Sequence, residues 1–183
     1  MIAGGVLPNF LIIGAQKCGT TSLHRYLMEH PEIFMSPNKE LHFFVTERNW
    51  HKGVKWYARQ FAQGFHACGE ASPSYTAFPR YSGVPERIHH VLPEVKLIYL
   101  IRDPIQRLVS HYVHRVAAGR EHGSLREALD GTRGSDLIWR SRYAAQLSQF
   151  LTTFSADRIL VVTQEALLAN RLETIRQVFR FPV

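Results

Sequence analysis

The chain is 183 residues long, 45% hydrophobic, 20% charged and 11% aromatic. That suffices for one good core and is too apolar for a disordered segment. A formal charge of +7 points to an anionic partner, whether nucleotide, acidic glycan, nucleic acid or membrane surface, without choosing among them. Cys18 and Cys68 are too few for a disulfide framework or a cysteine-ligated metal site, and read as reduced thiols of a cytoplasmic protein. No apolar run approaches the roughly 20 residues of a membrane span. The opening stretch, MIAGGVLPNF, lacks the basic start and long apolar segment of a signal peptide.

In chain order, the unbroken apolar run Phe10-Leu11-Ile12-Ile13 predicts a parallel strand covered on both faces. Leu23, Tyr26, Leu27 and His30 then follow helical spacing up to Pro31, which cannot continue a helix. Residues 31 to 60 read as loop or irregular helix, and a short strand is expected at HACGE, residues 66 to 70. The next buried strand is VKLIYLI, residues 95 to 101. Asp103 fits an N-cap or a partner for Arg107, with Pro104 at the first helical position. Ile105, Leu108, Val109, Tyr112, Val113 and Val116 predict the buried stripe of that helix, which Gly119 ends. Residues 119 to 138 read as loop or irregular helix. A third helix through Tyr143, Leu147, Phe150, Leu151 and Phe154 leads into the strand RILVV, residues 158 to 162. Strands alternating with amphipathic helices give an α/β fold with a parallel sheet in one domain, with ligands beyond the carboxyl ends of its strands.

The loop after the first strand, Gly14-Ala15-Gln16-Lys17-Cys18-Gly19-Thr20-Thr21-Ser22, offers an anion its backbone N–H groups, a positive helix end, one lysine and three hydroxyls. The nucleoside-triphosphate motif is GxxxxGK followed by Ser or Thr. Here the lysine precedes the second glycine, so that motif fails, and a plain glycine-rich turn capped by threonine fits the loop equally well. Arg102 stands at the end of the second long strand, with Ser110 about two turns into the next helix. An arginine and a hydroxyl converging there suit a phosphate. A metal-binding aspartate would stand at that strand end in a P-loop kinase.

Six segments together, PNFLIIGAQKCGTTSL, KELHFF, GEASPSY, PERI, LIYLIRDPIQRLVSHY and RYAAQLSQFLTTFSADRILVVTQEAL, span nearly the whole chain. In this order they resemble the sulfotransferases that use 3'-phosphoadenosine 5'-phosphosulfate (PAPS), in the branch of bacterial and heparan-sulfate enzymes. The resemblance implies a P-loop-type central parallel sheet flanked by helices, a sulfuryl donor PAPS and no metal. It assigns Lys17, Cys18, Gly19, Thr20, Thr21 and Ser22 to the 5'-phosphosulfate and Arg102 and Ser110 to the 3'-phosphate. It implies Glu40 as the general base, Lys17 as the catalytic cation and His42 as the competing base. His42 also reads as a packed histidine beside Phe43 and Phe44, and Glu40 as a surface ion pair with Lys39.

Glu70, Ser72 and Tyr75 are expected to line the acceptor cleft. Some glycan-type members carry a lysine directly after this glutamate, where Ala71 stands here. Tyr143 fits a nucleotide contact or plain core packing. The acceptor implied is a small molecule, glycan or lipid, with no nucleic acid as partner. Related enzymes continue past the point matching FRFPV with a basic, glycine-containing loop, so residues 1–183 are expected to be the domain without its C-terminal part. A non-catalytic nucleotide or polyanion binder and, less favoured, a P-loop kinase are the competing classes.

Overall fold

A computed structural model describes residues 5–130 and 134–182 of the chain. The readings placed on residues 1–4, 131–133 and 183 lie outside the described residues. Five strands form one sheet: β1 Phe10–Gly14, β2 Ile33–Met35, β3 Ala67–Ala71, β4 Lys96–Ile101 and β5 Ile159–Thr163. Their order is β2-β3-β1-β4-β5 and every pairing is parallel. The helices are α1 Thr20–Met28, α2 Gly53–Ala58, α3 Val84–Val91, α4 Pro104–Ala117, α5 Leu125–Asp130, α6 Gly134–Trp139, α7 Tyr143–Leu151, α8 Gln164–Ala169 and α9 Arg171–Arg180. None is long and apolar enough to cross a membrane.

Every residue of β1 and of β3 is buried, which is why both tolerate apolar or small residues at consecutive positions. Sheet order reverses around β1, whose neighbours are β3 on one side and β4 on the other. That reversal opens a crevice beyond the carboxyl end of β1. Gly14 ends β1 because a Cβ there would collide with the Thr76 hydroxyl. The four expected strands appear as β1, β3, β4 and β5, displaced by at most one residue at either end. The fifth, β2, has only three residues and lay within the stretch read as loop.

One expectation is overturned. The apolar stripe of α4 faces outward: Ile105 is 67%, Val109 39%, Val113 57% and Val116 44% exposed, whereas Arg107 and His111 are buried. The cause is a polar anchor beneath the helix. Arg107 Nε donates to Ser141 Oγ at 2.6 Å, and its other nitrogens reach the Leu137 carbonyl and His111 Nδ1. Asp103 caps α4 by accepting from the Gln106 N–H at 2.7 Å, so it is a cap and not the partner of Arg107. In α7, Phe150 is buried as expected but Leu151 is 47% exposed.

Candidate active site

The first loop turns sharply between β1 and α1. The Ala15 N–H bonds the Leu100 carbonyl of β4 at 2.6 Å, and Lys17 has a φ of +72°. Gly19, at φ +92°, begins α1 without any side-chain cap. The first-turn N–H groups of α1 therefore stay open, at the positive end of the helix dipole. Among the described residues, Lys17 Nζ and the hydroxyls of Thr20, Thr21 and Ser22 make no side-chain hydrogen bond or ion pair. The Cys18 thiol points the other way, buried 3.6 Å from the Tyr143 hydroxyl. Burial raises its pKa and keeps it a thiol, so Cys18 offers the loop only its backbone. Tyr143 thus meets the loop through Cys18 while its ring packs edge-on against Tyr99.

Arg102 is brought to this loop. Its Nη1 donates to the Lys17 carbonyl at 3.4 Å and its Nη2 to Gln106 Oε1 at 2.7 Å. Its Nε is buried without a partner, a donor that an incoming anion would satisfy. Ser110 lies on α4 with its hydroxyl unbonded among the described residues. Open N–H groups, an unpaired lysine and an orphaned guanidinium nitrogen fit an anionic ligand.

A second loop carries Glu40 and His42, and both adopt left-handed backbone, at φ +65° and +49°. With Lys17 they are the only non-glycine residues of positive φ among the described residues. Such strain costs on the order of 1–3 kcal/mol per residue and persists only where neighbours enforce it. The enforcing neighbours lie at the end of β3. The Glu40 N–H bonds the Ala71 carbonyl at 3.0 Å and the His42 N–H bonds Ser72 Oγ at 3.0 Å. Ser72 Oγ in turn donates to Glu70 Oε2 at 2.6 Å. Glu70 Oε1 accepts from Tyr57 at 3.0 Å and Tyr75 at 2.5 Å, and the Leu41 N–H adds a further donor. Burial raises the pKa of Glu70 despite these donors.

Glu70, Ser72 and Tyr75 are therefore not cleft residues. Their exposures are 0%, 0% and 2%, and they bond one another and the second loop. The expectation that they line an acceptor cleft is corrected: β3 is buried on both faces, so Glu70 has no route to solvent. Between Ser72 and Tyr75, Pro73 and Ser74 do reach the cleft, and Ser74 Oγ lies 2.7 Å from His42 Nδ1.

A cleft of about 1170 Å³ opens beside the second loop. Gln16, Glu40, His42, Arg48, Ser74 and Arg115 are among the residues that line it. Residues 17–22, Arg102 and Ser110 are not among its lining, whereas Gln16, the residue before Lys17, is. Glu40 pairs with Lys39 Nζ at 3.0 Å, and its second oxygen lies 3.4 Å from His42 Nε2. The surface-pair reading and the cleft reading of Glu40 thus hold together. His42 faces Ser74 and Glu40, while Phe43 and Phe44 lie in the core. Burial holds the His42 imidazole below the usual histidine pKa. Among the described residues no cluster of three or more His, Cys, Asp or Glu could hold a metal ion.

Sequence reasoning did not single out Gln16, Ser74 or His111, and weighed Arg107 only as a partner for Asp103. Gln16 Oε1 is buried without a partner at the cleft wall, and its place beside Lys17 was the available signal. Ser74, following a proline, carried only a turn signal.

The family model described as "Sulfotransferase domain" matches residues 7–182. The bifunctional heparan sulfate N-deacetylase/N-sulfotransferase 2 of Homo sapiens is 30% identical over 194 residues, covering 96% of this chain and 22% of the relative. A solved sulfotransferase from Alicyclobacillus acidocaldarius matches with a TM-score of 0.84 and 32% identity, over 97% of this chain and 81% of that one. A mouse sulfotransferase solved in complex with PAP shares the fold, with a TM-score of 0.64 at 10% identity over 99% of this chain and 61% of that one. The chain spans 22% to 53% of the length of the first curated relatives it matches.

Proposed function

The chain belongs to the sulfotransferase family, and from that premise we propose that it moves a sulfuryl group from PAPS to a hydroxyl or amine of a polar, anionic acceptor. The observation that carries this reading is the strained trio Lys17, Glu40 and His42, one on the anion loop and two on the cleft. Donor and acceptor would be held in adjoining basins, and the reacting centre would lie where those basins meet. The acceptor's oxygen or nitrogen attacks sulfur while the bond from sulfur to the 5'-phosphate oxygen breaks. The bonding electron pair leaves on that oxygen, giving adenosine 3',5'-bisphosphate, and the acceptor's proton passes to Glu40. Lys17 and the open N–H groups of α1 stabilise the charge that develops on the leaving phosphate. Arg102 and Ser110 would hold the 3'-phosphate.

The arginines of the cleft support an anionic acceptor, and the relative named for heparan sulfate supports an acidic glycan. Two free, buried cysteines support a reducing, cytoplasmic setting.

The test separates chemistry from binding. Glu40→Gln keeps the shape of the carboxylate and loses its basicity, so kcat should fall by about 10²–10⁴-fold with nucleotide affinity nearly unchanged. His42→Asn should stay more active than that. Normal turnover by Glu40→Gln with loss in His42→Asn transfers the role of base to His42. A polyanion binder without catalysis would bind adenosine 3',5'-bisphosphate but release none from radiolabelled PAPS with any acceptor. Stabilisation by ATP and magnesium in place of the bisphosphate would point to a kinase.

A further inference from the structure

We propose that Ser74 is a positioning residue of the transfer reaction: its hydroxyl donates to Nδ1 of His42 and fixes the ring as the Nε2–H tautomer facing Glu40. The proposal rests on the reading of Glu40 as base and states how that carboxylate is kept in place.

Ser74 sits in a short 3₁₀ helix, Pro73–Thr76, whose other side chains are buried. Tyr75 is tied to Glu70 and the Thr76 hydroxyl to the Ile13 carbonyl at 3.0 Å. Of the four, Pro73 and Ser74 line the cleft and only Ser74 brings a hydroxyl to it, so its anchored neighbours set the direction of that hydroxyl. The His42 backbone is fixed independently, through the Ser72 bond to its N–H. Both partners of the 2.7 Å contact are therefore held from below.

The tautomer follows from what stands on the other side of the ring. Glu40 Oε2 lies 3.4 Å from Nε2, and a carboxylate can only accept. A bare Nε2 would set a lone pair against that oxygen, whereas Nε2–H meets it with a positive edge. In a neutral ring Nδ1 is then an acceptor, and the Ser74 hydroxyl is the donor within reach. Both ring nitrogens are committed, so His42 has no free lone pair for the acceptor's proton. Glu40 retains lone pairs beyond those facing Lys39 and His42.

The experiment uses the full chain with ¹⁵N-labelled histidine, the His42 signals being assigned by their loss in His42→Asn. The wild-type spectrum should show an unprotonated Nδ1 and a protonated Nε2. Ser74→Ala should give a mixture of tautomers and a kcat lower by about three- to tenfold, the worth of one neutral hydrogen bond. Its Kd for adenosine 3',5'-bisphosphate and its melting temperature should stay near wild type. Ser74→Thr should restore both tautomer and rate. A protonated Nδ1 in the wild type, or a Ser74→Ala spectrum and kcat identical to wild type, overturns the proposal. If Glu40→Gln turns over normally, the base reading alone fails, and the tautomer spectra still decide whether Ser74 orients His42.

Discussion

Replacing Glu70 with glutamine tests whether the buried carboxylate holds the second loop. Glutamine keeps one carbonyl oxygen, which can still receive the Tyr57 and Tyr75 hydroxyls now taken by Oε1. The amide nitrogen replaces the oxygen that receives Ser72. Ser72 Oγ already accepts from the His42 N–H, so its own proton is left facing a donor. One unsatisfied buried donor costs about 1–3 kcal/mol, and the remaining bonds weaken because they are no longer charge-assisted. Relief from burying a charge opposes these losses, leaving a net destabilisation of about 2–4 kcal/mol. For a domain of this size that lowers the melting temperature by about 5–15 °C. Urea unfolding followed by circular dichroism should show a lower midpoint at unchanged slope. At a temperature where the variant is still folded, kcat should fall while affinity for adenosine 3',5'-bisphosphate holds, since residues 17–22 do not touch this cluster. A Glu70→Gln protein with wild-type midpoint and wild-type kcat would refute the reasoning. So would a large loss of stability with kcat intact, which would mean that the loop holds its shape without Glu70.

Lys17→Ala should abolish transfer and weaken nucleotide binding, because it removes the cation of the first loop; near-normal turnover would contradict the assignment. Arg102→Ala should reduce affinity for the 3',5'-bisphosphate about ten- to hundredfold, the worth of a charge-assisted contact of roughly 1.5–3 kcal/mol. Calorimetry with the analogue lacking the 3'-phosphate should show a smaller loss, and equal losses would make Arg102 merely structural. Burial and the neighbouring Arg140 and Arg107 push the His111 pKa down from 6.5 to about 3. The unfolded chain therefore takes up that proton first, so His111 costs no stability above about pH 6.5 and progressively more as pH falls toward about 3. The loss approaches about 1.4 kcal/mol per pH unit within that window. A His111→Gln variant should flatten the acid limb of a stability-versus-pH curve, and an unchanged limb would show that His111 does not titrate there.

The sheet was legible because strands covered on both faces must be apolar at consecutive positions, as Phe10 to Ile13 and the β4 run are. The three residues of β2 were not, since no periodicity can be measured over so short a span. Helical spacing located α4 but misjudged its inward face, because hydropathy ranks Val113 above Arg107. A guanidinium that finds a serine, a carbonyl and an imidazole can be buried at the expense of valines. The sharp turn after β1 was legible in Gly14 and Gly19, whose conformations are set by local backbone. Glu70, Ser72 and Ser74 show the limit. Their chemistry is written in the sequence, yet which of them reaches the cleft depends on the tertiary cover over β3.

The bonds between the second loop and β3 also govern how this chain can drift in length. Ser36 N–H meets the Gly69 carbonyl, Glu40 N–H the Ala71 carbonyl and His42 N–H the Ser72 hydroxyl. These three anchors advance along both segments together, like teeth on facing racks. A residue inserted or deleted between Ser36 and Glu40 would move Glu40 and His42 off their anchors at once, whatever residue was added. The stretch from Gln63 to Phe65, which includes the unobstructed Gly64, has no comparable constraint. Insertions should therefore be tolerated there, upstream of β3, and purged from the stretch between Ser36 and Glu40.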